Sequence, residues 1–105
     1  MGTLFYGSAR VSIRVDDAML AHLRALITTK QRRNEGFLVS WIDSQEEGDG
    51  RSSVWIHPFA DLHYKFDNHA LPQLDSELLE EMSKKSSTSR GVELDGATLL
   101  LDPMA

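Results

Sequence analysis

The sequence predicts an α+β domain with two helices and a mainly antiparallel sheet, in the element order ββαβββαββ. Two patterns support this class. Several short segments rich in β-branched and aromatic residues alternate apolar with polar side chains, which is the period of half-buried strands. In two other segments the apolar residues recur at steps of three and four, as on one face of a helix. With 105 residues and one run of such elements, the chain is expected to form a single domain over residues 1–105.

The first third of the chain predicts a hairpin followed by a helix. Apolar and polar residues alternate over 11–15, and Gly7-Ser8 before them suits a tight turn. Asp16 suits the N-cap of the helix, and the basic run 30–33 falls in its last turn, where cations interact well with the helix dipole. The apolar stripe of the helix consists of Met19, Leu20, Leu23, Leu26 and Ile27.

The rest of the chain predicts five strands and a second, shorter helix. The second helix is expected to begin at Asp75, with 83–91 as a polar linker after it. Asp95-Gly96 between 92–94 and 97–101 is a strong signal for a two-residue hairpin. The last strand is either buried on both faces or the seam of a homodimer. The three strands before the second helix are FLVSWID (37–43), SSVWIH (52–57) and LHYKF (62–66).

The composition excludes several classes of protein. Sixteen acidic against 11 basic residues give a net charge of -5. This balance argues against a protein coated in nucleic acid or held on anionic lipid. With no cysteine, the chain has no disulfide, no thiolate metal site and no cysteine nucleophile. The opening residues lack the pattern of a secretory signal, and the aliphatic run 99–101 is far too short to cross a membrane, so a cytoplasmic location is expected.

The motifs of catalysis and cofactor binding are missing. No Gly-x-Ser-x-Gly turn and no Gly-Lys-Ser/Thr loop occurs in the sequence. His57, Asp61, His63 and His69 lie within one short stretch and carry the ligand types that zinc prefers. A histidine beside Pro58 and one on the solvent side of a strand are, however, more typical of ordinary structural roles. We therefore expect no catalytic residue, no metal and no cofactor.

A binding role fits the sequence better, and two kinds of partner are open. The predicted surface combines charge from Arg32, Arg33 and Arg51 with a contact patch of Trp55 and His57, which alternate to the face opposite Val54 and Ile56. The partner is expected to be a protein, or a second copy of the chain through its last strand. The alternative is nucleic acid, bound by a basic set and by aromatic stacking. That basic set is Arg10, Arg14, Arg24, Lys30, Arg32, Arg33 and Arg51, and the stacking residues are Trp41, Trp55 and Tyr64.

Several short motifs resemble a known family over roughly the first two-thirds of the chain. They are Asp16-Asp17, Leu20-Ala21-His22-Leu23, Lys30-Gln31-Arg32-Arg33, Ser40-Trp41, Gly50-Arg51, Trp55-Ile56-His57-Pro58 and Tyr64-Lys65-Phe66. Together they resemble a family of small, uncharacterised actinobacterial proteins of about this length. The chain departs from the family pattern after the arginine pair and again in its last residues. The resemblance implies a short strand at the start, a helix, and the strands that carry the two tryptophans.

Proteins of that family often carry the label of an ATP-dependent DNA ligase. Nucleotide-dependent ligases form a lysyl adduct through a Lys-x-Asp-Gly motif. No Lys-x-Asp-Gly motif occurs in this chain, because Glu93 stands where the lysine is needed before Asp95-Gly96, and Glu47 stands there before Asp49-Gly50. The sequence therefore excludes ligase catalysis and leaves an accessory role in DNA ligation as part of the nucleic-acid alternative.

Overall fold

The computed structural model describes residues 1–7, 11–43 and 50–101, with the backbone alone for 99–101. In this part of the chain, seven strands and two helices follow the predicted order, which confirms the α+β class. The elements are β1 (Gly2–Tyr6), β2 (Val11–Val15), α1 (Asp17–Arg32), β3 (Phe37–Ile42), β4 (Arg51–Ile56), β5 (Leu62–Phe66), α2 (Ser76–Ser86), β6 (Val92–Leu94) and β7 (Thr98–Leu101).

The described strands form two sheets. The four-stranded sheet has the order β5-β1-β2-β7 and is antiparallel throughout. The three-stranded sheet has the order β4-β3-β6, in which β4 runs antiparallel and β6 parallel to the central β3. Val39 in β3 lies between Val54 of β4 and Val92 of β6. The sheet structure is mainly antiparallel, as predicted, but it is divided in two.

The predicted hairpin at Asp95-Gly96 is wrong. Gly96 does adopt a left-handed φ of 68°, as an Asp-Gly turn requires. The flanking strands nevertheless belong to different sheets, because β6 pairs with β3 and β7 pairs with β2. Val92 and Leu94 are buried in the core in this arrangement. The local turn signal sets the backbone angle, but burial of these two side chains decides the partner strand. The first hairpin is confirmed by the pair Tyr6 and Val11, while Ser8 of its turn lies outside the described residues.

The core lies between the inner faces of the two sheets and the two helices. α1 contacts β1 and β5 of the four-stranded sheet, whereas α2 contacts β3 and β6 of the three-stranded sheet. Trp41, Phe37 and Val39 of β3 are fully buried, as the shared face of Val39 and Trp41 predicts. The largest contributions from the other elements are Leu4, Ile13, Val15, Leu20, Leu23, Ile27, Ile56, Met82 and Val92.

An aspartate N-cap fixes where each of the two helices begins. Asp16 caps α1 by accepting from the Met19 N–H at 2.7 Å, and Asp75 caps α2. The buried ring of His22 joins the two helices, because its Nε2 accepts from the Asp75 N–H at 2.9 Å and its Nδ1 donates to the Ala18 carbonyl at 2.6 Å. α2 continues to Ser86, so the first residues of the predicted linker are helical.

In the part of the chain that the structure describes, no helix is long and apolar enough to cross a membrane.

Candidate interaction surface

The outward-facing aromatic residue of the three-stranded sheet is Trp55 on the edge strand β4. Its side chain is 54% exposed, while its neighbours Val54 and Ile56 face the core and its cross-strand partner is Leu38. The other tryptophan, Trp41 on the adjacent strand, is 1% exposed. The two indoles therefore have opposite roles, one packed in the core and one presented to solvent.

Two further aromatic rings extend the exposed surface beyond β4. His57 is exposed, and its Nδ1 accepts from the Phe59 N–H at 3.0 Å. The rings of His57 and Phe59 lie 5.8 Å apart, and Phe59 is 74% exposed. We call Trp55, His57 and Phe59 the aromatic patch. The sequence analysis missed Phe59, although the odd-numbered alternation of Trp55 and His57 continues to it across Pro58.

The backbone beneath the aromatic patch is held by the other sheet. The buried Tyr6 of β1 donates its hydroxyl to the Trp55 carbonyl at 2.7 Å and accepts from the His57 N–H at 3.0 Å. One phenol thus satisfies two backbone groups on the open side of β4 and fixes the strand against the four-stranded sheet. A surface held in this way loses little conformational freedom on binding.

The C-terminal end of α1 borders the aromatic patch. The Gln31 side chain donates to the Ala60 carbonyl at 3.3 Å. Gly36 lies directly under the indole, since a Cβ at this position would come within 2.6 Å of Trp55 Cζ2. Arg33 is exposed and stands three residues before Gly36, a span of at most about 11 Å. The residues that follow α1 therefore border the patch, with Gly36 under Trp55 and Gln31 hydrogen-bonded to the residue after Phe59.

The structure brings together only part of the predicted surface. Trp55 and His57 share the exposed side of β4 and its continuation, and Arg33 lies three residues before Gly36, which is under the Trp55 indole. Arg32 instead lines a groove on α1 together with Arg24. Arg51 stands at the other end of β4, about 13 Å from Trp55 along the strand, and is paired with Glu93 at 3.3 Å.

Three of the six described members of the predicted basic set are engaged with carboxylates. Lys30 is only 7% exposed and donates to Glu35 at 3.1 Å. Arg14 is paired with Asp67 at 3.2 Å, and Arg51 with Glu93. Arg10 lies outside the described residues. Of the three predicted stacking residues, Trp41 is buried and Tyr64 is half-buried, so Trp55 alone is open to a base.

The histidine-rich stretch forms no metal centre within the described ranges, where no group of three or more histidine, aspartate and glutamate side chains could hold an ion. His63 stacks edge-on against Phe5 at 5.4 Å on the outer face of the four-stranded sheet. One titratable group in this region is strongly perturbed. Burial raises the pKa of Tyr64 to about 12, against a smaller lowering effect of the nearby Arg24 guanidinium.

A family described as a domain of unknown function (DUF7882) matches residues 1–97. The chain belongs to this family. The match extends from β1 through β6 and the Asp95-Gly96 turn, and β7 follows it. It agrees with the resemblance to an uncharacterised family seen in the sequence. No curated protein and no solved structure gives a significant match to the chain.

Proposed function

We propose that this DUF7882 domain is a binding module without chemistry of its own, and that its aromatic patch docks on a protein partner. The observation that supports this most is the exposure of Trp55 and Phe59 on a backbone clamped by Tyr6. Aromatic side chains in preorganised positions are the residues that dominate binding energy at protein interfaces.

The energetics favour a partner for this surface. Burying a side chain the size of Phe59 contributes about 1.5–3 kcal/mol. Trp55 is 54% and Phe59 74% exposed, so together they offer roughly 2–4 kcal/mol before the costs of association are counted. Arginine is also enriched at interfaces, and no carboxylate among the described residues pairs with Arg33.

The second candidate is nucleic-acid binding, including an accessory role in DNA ligation. It is favoured by the exposed indole of Trp55 and by Arg33 at the nearby end of α1, which has no carboxylate partner among the described residues. The ion pairs of Arg14, Lys30 and Arg51 weigh against it, because phosphate binding needs cations that are free to replace counterions. The cytoplasmic location and the homodimer through β7 also remain proposals, and β7 pairs with β2 alone among the described strands.

Matched variants test the protein-partner proposal. Immobilised wild-type domain and a Trp55→Ala/Phe59→Ala variant are compared by quantitative capture of partners from cytoplasmic extract. Phe5→Ala is the control, because Phe5 is also an exposed aromatic residue but lies on the other sheet. We expect partners retained by wild type and Phe5→Ala to be lost, by tenfold or more, from the double variant. Equal retention by all three folded proteins would refute the patch.

A titration separates the two kinds of partner. The exposed Trp55 makes indole fluorescence a direct reporter of binding at the patch, whereas the buried Trp41 supplies a constant background. Single- and double-stranded DNA are titrated at low and physiological salt, and sedimentation over a concentration series monitors self-association. Micromolar DNA affinity that falls steeply with salt would replace the protein-partner proposal by the nucleic-acid one. No response at low salt removes the nucleic-acid alternative.

A further inference from the structure

A groove along α1 that shares no residue with the aromatic patch carries a separate inference. It lies between α1 and the segment 71–74 that leads into α2, and its volume is about 500 Å³. Ala21 and Ala25 form an apolar floor, Leu71 and Leu74 a wall, and Arg24 and Arg32 lie among its lining residues. None of these residues belongs to the aromatic patch.

The two leucines that form the wall of the groove are unusually exposed for apolar side chains. Leu71 and Leu74 are 53% and 51% exposed, although both lie in a short segment next to a helix. Leu74 stands directly before Asp75, the N-cap of α2, yet half of its surface faces solvent. The small alanines opposite leave the space that a larger side chain on α1 would fill. Apolar side chains facing an unfilled groove are typical of a docking site.

The charges of the groove identify the occupant. Arg14, Arg51 and Arg90 each form an ion pair with a carboxylate. Across the described residues, no carboxylate pairs with Arg24 or Arg32. The Arg24 guanidinium lies over the Phe66 ring, 5.4 Å from its centroid, which limits its motion without neutralising it. In a chain of net charge -5, two free cations beside one groove indicate an acidic ligand.

We propose that this groove binds an extended acidic segment of a partner protein, with two carboxylates four residues apart and an apolar side chain between them. Arg24 and Arg32 are two turns of helix apart, or about 12 Å. Residues four apart in an extended chain are separated by about 13 Å, so the spacing of the two carboxylates matches that of the two arginines along α1. In an extended segment the first, third and fifth side chains point to the same side, so both carboxylates and the central apolar side chain face the groove. The central apolar side chain then packs on Leu71 and Leu74.

Peptide binding tests the proposal directly. Fluorescently labelled Glu-Thr-Leu-Thr-Glu, flanked by glycine and serine, is titrated with the full chain at physiological salt. Two control peptides replace both glutamates by glutamine or move them to a spacing of two residues. We expect saturable binding below 1 mM for the first peptide and at least tenfold weaker binding for both controls. Equal affinity for all three peptides, or no binding up to 1 mM, overturns the proposal.

Protein variants locate the site and separate it from the aromatic patch. Arg24→Gln/Arg32→Gln is compared with Lys84→Gln/Lys85→Gln, which makes the same charge change on the exposed side of α2. Only the arginine variant should lose binding by tenfold or more, and circular dichroism checks that both fold. Trp55→Ala/Phe59→Ala should bind the peptide as wild type does, so failure of the patch and failure of the groove are distinguishable. Displacement of the peptide by single-stranded DNA at a lower concentration than by unlabelled peptide would overturn the choice of ligand.

Discussion

Two glycines lie on either side of the same cross-strand pair, Leu38 and Trp55, and serve different ends. Gly91 is buried, has a φ of 72°, and would place a Cβ against the Leu38 carbonyl, 2.7 Å from its carbon. Gly36 is half-buried, with no left-handed φ, and would place a Cβ 2.6 Å from the Trp55 ring. The missing Cβ of Gly91 leaves room for the Leu38 backbone, which is fixed in the sheet. The missing Cβ of Gly36 leaves room for the Trp55 side chain, which is exposed and can move.

This difference separates what the fold requires from what the surface requires. A backbone atom opposite a glycine can yield only if strand β3 shifts, and β3 is the centre of its sheet. An exposed indole can turn away at little cost in packing. Substitutions in the aromatic patch should therefore leave the protein folded, whereas a substitution at Gly91 should lower the free energy of unfolding.

The largest effect is expected for Gly91→Ala. Left-handed backbone and collision with the Leu38 backbone should together lower the free energy of unfolding by about 3 kcal/mol or more. Gly96→Ala is the matched control, because Gly96 has a similar φ of 68° and nothing within 4 Å of the added Cβ. It should cost about 1–2 kcal/mol. Urea denaturation measures both, and equal losses would show that backbone strain alone is responsible.

The next effect concerns the link between the sheets, through Tyr6→Phe. The substitution keeps the buried ring but leaves the Trp55 carbonyl and the His57 N–H without their shared partner. We expect a loss of about 1–3 kcal/mol in the free energy of unfolding. An increase in the amide exchange rate over wild type that is larger at His57 than at Val39 would place the loosening at the end of β4. Unchanged exchange at His57 would mean that water replaces the hydroxyl and that the patch is not clamped by it.

Gly36→Ala should change the surface more than the stability. Its free energy of unfolding should stay within about 1 kcal/mol of wild type, since the added methyl meets a mobile ring and restricts the unfolded chain. The emission of Trp55 and its quenching by acrylamide should change as the ring turns outward. Trp55→Phe supplies the signal of Trp41 alone for subtraction. A large loss of stability here would contradict the distinction between the two glycines.

The smallest effect at neutral pH is expected for a ring of the other sheet, in Tyr64→Phe. Burial raises the pKa of Tyr64 to about 12 in the folded chain, against 10.0 for an ordinary tyrosine. The folded state therefore holds the proton more tightly, and the stability this contributes is complete below pH 10 and is lost as the pH rises towards 12. As the pH rises across this interval, the free energy of unfolding should fall further for wild type than for Tyr64→Phe. Denaturation at pH 8 to 11.5 measures this difference. Parallel curves would contradict the raised pKa.

Patterns of short range predicted much of this molecule. Alternation along β3 and β4 placed Trp41 inside and Trp55 outside, and the caps at Asp16 and Asp75 began both helices correctly. These features depend on neighbours in the sequence. The parallel pairing of β6 with β3 cannot be predicted in this way, because it joins residues more than 50 positions apart. It depends on where Val92 packs in the core.

The candidate surface was predicted less completely, for the same reason. The distance between Arg51 and Trp55 follows from their places on one strand, but the ion pair of Arg51 with Glu93 needs β6 to lie nearby. Burial of Lys30 against Glu35 depends on how the chain turns after α1. Phe59 could have been found by continuing the alternation past Pro58, whereas the groove at Arg24 appears only when 71–74 is placed against α1.

The pairing of β2 with β7 has a consequence for synthesis on the ribosome. β1, β2 and β5 can assemble once residue 66 has emerged, but the other side of β2 waits for residues 98–101. At about 5–20 residues per second, the 35 residues between them take roughly 2–7 s to make. During that interval a nascent chain presents an unpaired β-strand edge, and it also lacks β6 beside β3. Such an unpaired edge can pair with another chain, so the nascent chain is most exposed to aggregation during this interval.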